Sequence, residues 1–199
     1  MLPFERFTDP ALRAMTAAQQ EAELSGRGYI GTGHLLLALS AGADFVAARV
    51  LRDLGVDDGA LRSAIKRQPS EESPAEGAEL HPTESVKRAV EFAFTESKRT
   101  EDGGAVGTGH LLLGIMLEGS AAGARALVEL GVGVEPVRAD IGRLAAAGLG
   151  EEPWARGDRQ PLVISREVSD VLNSAHEIAR SEQARTVELD HLVRAITGR

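Results

Sequence analysis

The chain of 199 residues is long enough for one elongated domain or two small ones, and too short for a multidomain machine. Hydrophobic residues make up 43% and charged residues 26%, which is typical of a globular protein that buries a core. Only 4% are aromatic, and the apolar remainder is mostly Ala, Leu and Val, which favours close helix packing. Cysteine is absent, which excludes disulfides, thiolate zinc sites and cysteine nucleophiles.

The charge balance and the short apolar runs exclude further classes of protein. The formal net charge is −8, and the basic residues form no stripe, so we expect no nucleic-acid surface. The longest apolar runs have only a handful of residues, and residues 1–40 lack a charged start followed by an apolar signal core. We therefore expect a cytoplasmic protein that binds neither nucleic acid nor a membrane.

The first predicted helix follows Thr8, whose hydroxyl can accept from the unpaired N–H groups of a helix start. Its apolar positions lie three and four residues apart, at Ala11, Met15, Ala18 and Ala22. A second helix is predicted from the His-Leu-Leu-Leu run, with Thr32 as its N-cap. Gly55 is predicted to end a third helix, because glycine adopts the left-handed conformation of a C-terminal stop.

The whole pattern then repeats after about 75 residues, which predicts two copies of one helical unit. The segment 30–37 returns as 106–113, with Gly-Thr-Gly-His-Leu-Leu-Leu common to both, and the match continues without gaps to Ile65 and Ile141. The predicted helix boundaries recur at equivalent positions: Thr83 for Thr8, Thr108 for Thr32 and Gly131 for Gly55. Each copy therefore has about four predicted helices.

A fainter third copy follows, with a first helix after Ser165 and residues 187–193 in place of the motif. We thus predict an all-α, pseudo-twofold repeat protein with an extra half-repeat, of about ten helices. The predicted organisation is repeat 1 at 1–67, a linker at 68–82, repeat 2 at 83–147, a second linker at 148–161, and a partial third repeat at 162–199 packed on the second.

Three features together resemble the Clp N-terminal repeat domain: the start at residues 4–9, the two Gly-Thr-Gly-His-Leu-Leu-Leu motifs, and the Leu-Gly-Val at each third-helix end. The pattern is similar to the double repeat at the head of ClpC-type unfoldases. The resemblance implies an all-α module that does no chemistry. It implies that the module receives substrates, adaptor proteins or small ligands on behalf of a Clp ATPase.

The resemblance also implies a ligand site in each repeat, where ClpC-type relatives hold a phosphorylated arginine. The phosphate lies at a helix N-terminus, and Thr8 and Thr83 match those positions. The glutamate that pairs with the guanidinium is replaced by Gly33 in one copy and by Gly109 in the other. We therefore expect phosphoarginine recognition to be lost or weakened.

A second family surface takes adaptor proteins and certain cyclic-peptide antibiotics, and Phe4 and Lys87 match positions that line it. His81 and Pro82 replace the Pro-Phe pair expected before the second helix cap, so one aromatic anchor is missing.

The hypothesis that the chain is an enzyme has little support in the sequence. The three lysines, Lys66, Lys87 and Lys98, follow Ile, Val and Ser, so none belongs to a Gly-Lys-Ser/Thr phosphate loop. His34, His110 and His191 each head a helix in a separate copy, which favours a structural role at the helix start over a metal site. We expect no enzyme activity, no cofactor and no metal.

The first functional hypothesis is a stand-alone Clp N-terminal-like module that regulates or adapts substrate delivery in bacterial Clp proteolysis. Its partners would be a Clp ATPase, its adaptors or its substrates. The alternative is sequestration of small peptides or cyclic-peptide antibiotics that target the unfoldase. An affinity capture and a peptide titration distinguish the two.

Overall fold

The computed structural model describes residues 6–70, 80–99 and 104–151. The chain divides into two compact units, 1–155 and 156–199, and all described residues belong to the first. Phe4, His191 and the predicted third repeat lie outside the described residues. The prediction of an all-α fold is confirmed.

The described residues form eight helices in two sets of four. The first set is α1 (Asp9–Leu24), α2 (Thr32–Ala41), α3 (Val46–Asp53) and α4 (Asp58–Arg67). The second set is α5 (Glu84–Ser97), α6 (Thr108–Glu118), α7 (Ala122–Glu129) and α8 (Val134–Ala146). Two short strands, β1 (Tyr29–Ile30) and β2 (His81–Pro82), pair in parallel and were not predicted.

The predicted caps of the first helix in each repeat are confirmed. Thr8 Oγ1 accepts from the N–H of Ala11 at 3.2 Å, and Thr83 Oγ1 accepts from the N–H of Val86 at 3.3 Å. The third-helix stops are confirmed as well, because Gly55 and Gly131 follow α3 and α7 with φ of +76° and +75°. Only glycine adopts this left-handed conformation at little cost.

The predicted N-caps of α2 and α6 are wrong by one residue. Gly31 and Gly107 occupy the N-cap positions, and Thr32 and Thr108 are the first residues inside the helices. The two hydroxyls are used elsewhere: Thr32 Oγ1 accepts from the N–H of Gly123 in α7, and Thr108 Oγ1 accepts from the N–H of Ala47 in α3, each at 3.0 Å. Each threonine therefore stabilises a helix start in the opposite repeat.

The two repeats exchange their leading segments. Phe7, just before α1, bridges in parallel to Val106, just before α6. In the same way β2, just before α5, pairs with β1, just before α2. The Phe7 ring is fully buried and meets Phe94 of α5 edge-on, with ring centroids 5.2 Å apart. The described parts of both repeats thus share one hydrophobic core.

The centre of the core is supplied by α2 and α6, which are buried over most of their surface. Their largest fully buried side chains are Leu35, Leu36, Leu39, Leu111, Leu112 and Ile115. No single helix of the described ranges is long and apolar enough to cross a membrane, although two bent pairs, α2 with α3 and α6 with α7, reach that length and composition together.

Candidate functional site

Three helix starts converge on one partly buried polar site, which we call the Thr8 site. Thr8 caps α1, Val46 begins α3 and Thr108 begins α6. The carboxylate of Glu151 lies between them. Its Oε2 accepts from Thr8 Oγ1 at 3.0 Å and from the N–H of Thr108 at 2.7 Å. Its Oε1 accepts from the N–H of Val46 at 2.9 Å and from the Thr108 hydroxyl.

The chemistry of the Thr8 site is that of an anion-binding site. Helix N-termini present unpaired N–H groups and a partial positive charge, and both attract a carboxylate or a phosphate. Thr8 and Thr108 are nearly inaccessible, at 1% and 0% exposure, whereas Glu151 is partly exposed, so their hydrogen bonds to Glu151 are partly buried. Gly107 makes room for the anion, because a Cβ at this position would lie 2.7 Å from Glu151 Oε2.

A pseudo-equivalent site lies at Thr83, and we call it the Thr83 site. The N–H of Thr83 donates to the carbonyl oxygen of Ile30 at 3.0 Å, next to the start of α2. Thr32 begins that helix and contacts the N-terminus of α7 through its hydroxyl. Each site therefore combines the cap threonine of one repeat with the Gly-Thr-Gly motif of the other. The sequence predicted one site within each repeat, and the exchange of leading segments explains the difference.

Gly33 and Gly109 lie at the second position of α2 and α6, close to the Thr83 and Thr8 sites respectively. A Cβ at Gly33 would lie 2.8 Å from Ile65 Cγ2 of α4. A Cβ at Gly109 would lie 3.1 Å from side-chain carbons of both Val46 and Ile141. Ile65 and Ile141 occupy equivalent positions in the two repeats. Each isoleucine fills the space next to the glycine of its own repeat. The expected loss of phosphoarginine recognition stays a prediction.

An open cavity of about 560 Å³ lies beside Gly33, with a mixed polar and apolar lining. Its charged lining residues among those described are Glu21, Arg27, Arg62 and Lys66. Arg62 donates twice to the Glu21 carboxylate, at 3.0 and 3.2 Å, and this hydrogen bonding raises the pKa of the guanidinium. The cavity is therefore lined by three basic residues, of which Arg62 is neutralised by Glu21.

A smaller groove of about 230 Å³ lies between α1 and α5. It is predominantly apolar, and its described lining residues come from both repeats: Met15, Thr16, Ala18, Gln19, Ile30, Leu35, Pro82, Val86 and Val90. Lys87 follows Val86 on α5, with its side chain half exposed and its Nζ 2.5 Å from Glu84 Oε1. The structure thus places Lys87 on the element that forms one wall of this groove.

His34 and His110 act at helix starts. His34 Nδ1 accepts from the N–H of Gly31, and His110 Nδ1 accepts from the N–H of Gly107, each at 3.1 Å. Each imidazole thereby closes the turn that begins its helix, as the sequence predicted. Within 6–70, 80–99 and 104–151, no group of three or more His, Asp or Glu side chains could hold a metal ion.

Glu151 is the residue of the Thr8 site that sequence reasoning missed. It lies in the segment predicted to be a linker, and no spacing or motif ties it to Thr8 or to Thr108. The available signal was indirect: a helix start with a threonine cap attracts an anion, and an acidic residue follows α8. Only the tertiary structure identifies which acidic residue binds there.

Comparisons with known proteins agree with this architecture. The model of the Clp repeat (R) N-terminal domain matches residues 6–130 and again 99–199. The chloroplastic chaperone protein ClpC1 of Oryza sativa subsp. japonica is 30% identical over 80% of this chain and 18% of its own length. A ClpA homologue of Guillardia theta, an ATP-binding subunit of the ATP-dependent Clp protease, is 33% identical over 71% of this chain and 17% of its own length.

Solved structures share the fold. The N-terminal domain of the chaperone ClpD from Arabidopsis thaliana has a TM-score of 0.52 and 29% identity, over 71% of this chain and 99% of that one. The Hsp104 N-terminal domain from Candida albicans has a TM-score of 0.55 and 17% identity, over 73% and 93% of the two chains. This chain spans less than a fifth of the curated relatives' length, and the part it matches is a Clp N-terminal region. By its repeated motifs, its paired four-helix sets and these matches, the chain belongs to the Clp repeat (R) N-terminal domain family.

Proposed function

We propose that this chain is a non-catalytic protein-binding module that works with Clp ATPases and regulates or adapts the delivery of their substrates. The resemblance supports the proposal, because Clp N-terminal domains of ClpC and ClpA bind substrates and adaptors. In this proposal the module holds an adaptor or a substrate segment and competes for it with the N-terminal domains of Clp ATPases.

The observation that carries the proposal is the apolar groove between α1 and α5. Its walls come from both repeats, and residues such as Met15, Pro82 and Val90 give it an apolar floor and sides. Burying an apolar side chain in the groove removes water from both surfaces. The favourable free energy is about 25 cal/mol per Å² of apolar area buried. A groove of about 230 Å³ accommodates one or two such side chains from an extended protein segment. Lys87 lies next to the groove on α5 but is paired with Glu84, so the apolar lining is what recommends the groove as a docking surface.

The test introduces one charge into the groove and the same charge elsewhere. Met15→Glu places a carboxylate in the groove wall, and Val128→Glu adds the same charge on α7 at a side chain that is 71% exposed. Both variants are immobilised beside the unmodified chain and incubated with a purified ClpC-type ATPase, its adaptor and an unstructured model substrate. The same three chains are added to a degradation assay with the ATPase and its peptidase.

We expect the unmodified chain and Val128→Glu to bind the adaptor or the substrate and to slow degradation. Met15→Glu should lose at least about tenfold in affinity, since a buried unpaired carboxylate is strongly unfavourable. Equal binding by all three chains would exclude the groove, and binding by none would exclude the proposed function. Sequestration of small peptides stays a prediction that the described residues do not test.

A further inference from the structure

The cavity beside Gly33 contains two basic side chains that no carboxylate of the described ranges neutralises. Arg27 Nη1 donates to the Tyr29 hydroxyl at 2.9 Å and to Ser70 Oγ at 2.8 Å, and both acceptors are uncharged. Lys66 lies in the last turn of α4 and has no described carboxylate within ion-pair distance. Both side chains are exposed, so they keep their charge and remain open to a ligand.

Several other basic residues of the chain are neutralised by carboxylates. Arg13, Arg67 and Arg88, for example, each pair with an Asp or a Glu. Acidic residues are in excess over the whole chain, which has a net charge of −8. The cavity is therefore a local reversal of the charge of the chain, and such a reversal attracts acidic groups.

Comparison of the two repeats identifies the part of the cavity that is structural. The ion pair of Arg62 with Glu21 joins α4 to α1. The same pair recurs in the second repeat as Arg138 and Glu96, with Nε and Oε2 3.2 Å apart, and joins α8 to α5. Because both repeats contain this pair, it serves the packing of the helical unit and does not indicate a ligand.

The two unneutralised charges do not recur in the second repeat. Gly142 occupies the position equivalent to Lys66. In the repeat alignment, the loop that contains Arg27 matches residues 100–107, which include two acidic residues and no Arg or Lys. The basic cavity is thus specific to the first repeat, in contrast to the helix-start sites that both repeats have.

An apolar surface lies beside these charges. Leu24, the last residue of α1, is 85% exposed and borders the cavity, and Leu37 and Ile65 also line it. Covering such a leucine with an apolar group of a ligand is favourable, because it removes apolar area from water. The volume of about 560 Å³ lies within the range of about 300 to 1,000 Å³ that is typical of ligand pockets.

We propose that this cavity binds an extended acidic segment of a partner protein. Carboxylates of the segment pair with Arg27 and Lys66, and a neighbouring aliphatic side chain covers Leu24. An acidic peptide segment supplies both chemistries in adjacent residues. The cavity and the apolar groove have no lining residue in common, so this inference does not depend on the proposed function.

The experiment measures the binding of a labelled peptide to the full chain by fluorescence anisotropy. The probe is a fluorescein-labelled peptide of six residues with blocked ends, in which glutamate and leucine alternate. A second peptide with the same label has glutamine in place of each glutamate. The variants are Lys66→Gln and Leu24→Ser, and the control is Lys98→Gln, which removes an exposed lysine just after α5. Since all three side chains are exposed, we expect each variant to fold, and circular dichroism checks this.

We expect the acidic peptide to bind the unmodified chain and Lys98→Gln equally well, and the glutamine peptide to bind at least about tenfold more weakly. Lys66→Gln should bind the acidic peptide about two- to fivefold more weakly, as is typical of a lost exposed ion pair. Leu24→Ser should lose about threefold through its apolar contact. Added salt should weaken binding by the unmodified chain more than binding by Lys66→Gln, because salt screens the lost charge.

Three results would overturn the proposal. The first is that the acidic peptide shows no saturable binding to the unmodified chain. The second is that the two peptides bind with equal affinity, since the carboxylates would then contribute nothing. The third is that Lys66→Gln and Lys98→Gln bind the acidic peptide equally well, since the charge of the cavity would then not matter.

Discussion

At the scale of single residues, the glycines of the two motifs have different physical roles. Gly107 leaves space for the Glu151 carboxylate, and Gly109 leaves space for Val46 and Ile141. The repeated Gly-Thr-Gly sequence is therefore a packing requirement at the point where the repeats meet. Restoring a carboxylate at Gly33 or Gly109 would first have to move a neighbouring side chain.

Gly109→Ala tests this packing requirement against a matched glycine. Gly142 also lies in a helix, α8, but a Cβ there has no atom within 4 Å. Gly142→Ala should raise the free energy of unfolding by about 0.5 to 1 kcal/mol through helix propensity. Gly109→Ala should lower it by about 1 to 2 kcal/mol, since overpacking outweighs the same propensity gain. Urea unfolding measures both, and equal stabilisation would show that Val46 and Ile141 move aside freely.

At the scale of the elements, the first two helices pack more closely in the second repeat than in the first. A Cβ on Gly114 of α6 would lie 2.0 Å from the carbonyl oxygen of Ala89 on α5. The backbones of these two helices are thus in direct contact. The equivalent position of α2 in the repeat alignment is Ala38, a residue with a Cβ. The α5 and α6 pair therefore depends on glycine, whereas the α1 and α2 pair does not.

Gly114→Ala should destabilise the protein by about 3 kcal/mol or more, because only backbone atoms surround the added methyl group and none can rotate away. Thermal unfolding followed by circular dichroism measures the loss. Ala38→Gly is the reciprocal change and should cost only about 1 to 2 kcal/mol, from helix propensity and the lost burial of one methyl group. A Gly114→Ala variant of unchanged stability would contradict the close approach of α5 and α6.

Glu118 joins three helices through one fully buried side chain at the end of α6. Its carboxylate accepts from the N–H groups of Ser120 and Ala121 before α7, from the Ser120 hydroxyl, and from Arg88 of α5 at 2.6 Å. Burial acts to raise the pKa of Glu118, but the hydrogen bonds from Ser120, Arg88 and Ala121 together lower it below its ordinary value of 4.5.

This lowered pKa predicts acid sensitivity. The contribution of Glu118 is fully present above its unfolded-state pKa and is lost as the pH falls below that value and through the lower folded-state pKa. Glu118→Gln should cost about 1 to 3 kcal/mol at neutral pH and flatten the stability profile over this fall in pH. Denaturant unfolding at a series of pH values checks this. Glu135→Gln is the exposed control, and a parallel profile for both variants would contradict the assignment.

At the scale of the whole molecule, neither repeat is complete without the other. Phe7 packs on Phe94 of the second repeat, β2 pairs with β1 of the first, and Thr32 and Thr108 each bind a helix start across the junction. The Thr8 and Thr83 sites exist only because of this exchange. A separated repeat would expose the apolar faces of α2 or α6 and leave its leading segment unpaired.

A fragment of residues 1–80 should therefore be largely unfolded as a monomer or form a dimer in which two first repeats replace the natural pair. Circular dichroism and size-exclusion chromatography with light scattering measure helicity and mass. Adding a fragment of residues 80–155 should restore helical signal and a one-to-one complex. Cooperative unfolding of a monomeric first-repeat fragment would show that the exchange is not required for folding.

The sequence by itself determined the helical class, the two repeats, and the boundaries at Thr8, Thr83, Gly55 and Gly131. These features depend on local chemistry, namely hydrophobic spacing, a side chain that caps a helix start, and a residue that tolerates positive φ. Only the tertiary structure decided the use of the Thr32 and Thr108 hydroxyls, the exchange of leading segments and the binding of Glu151 at the Thr8 site. These depend on which distant segments meet, and no periodicity along the chain records a contact between residues 8, 46, 108 and 151.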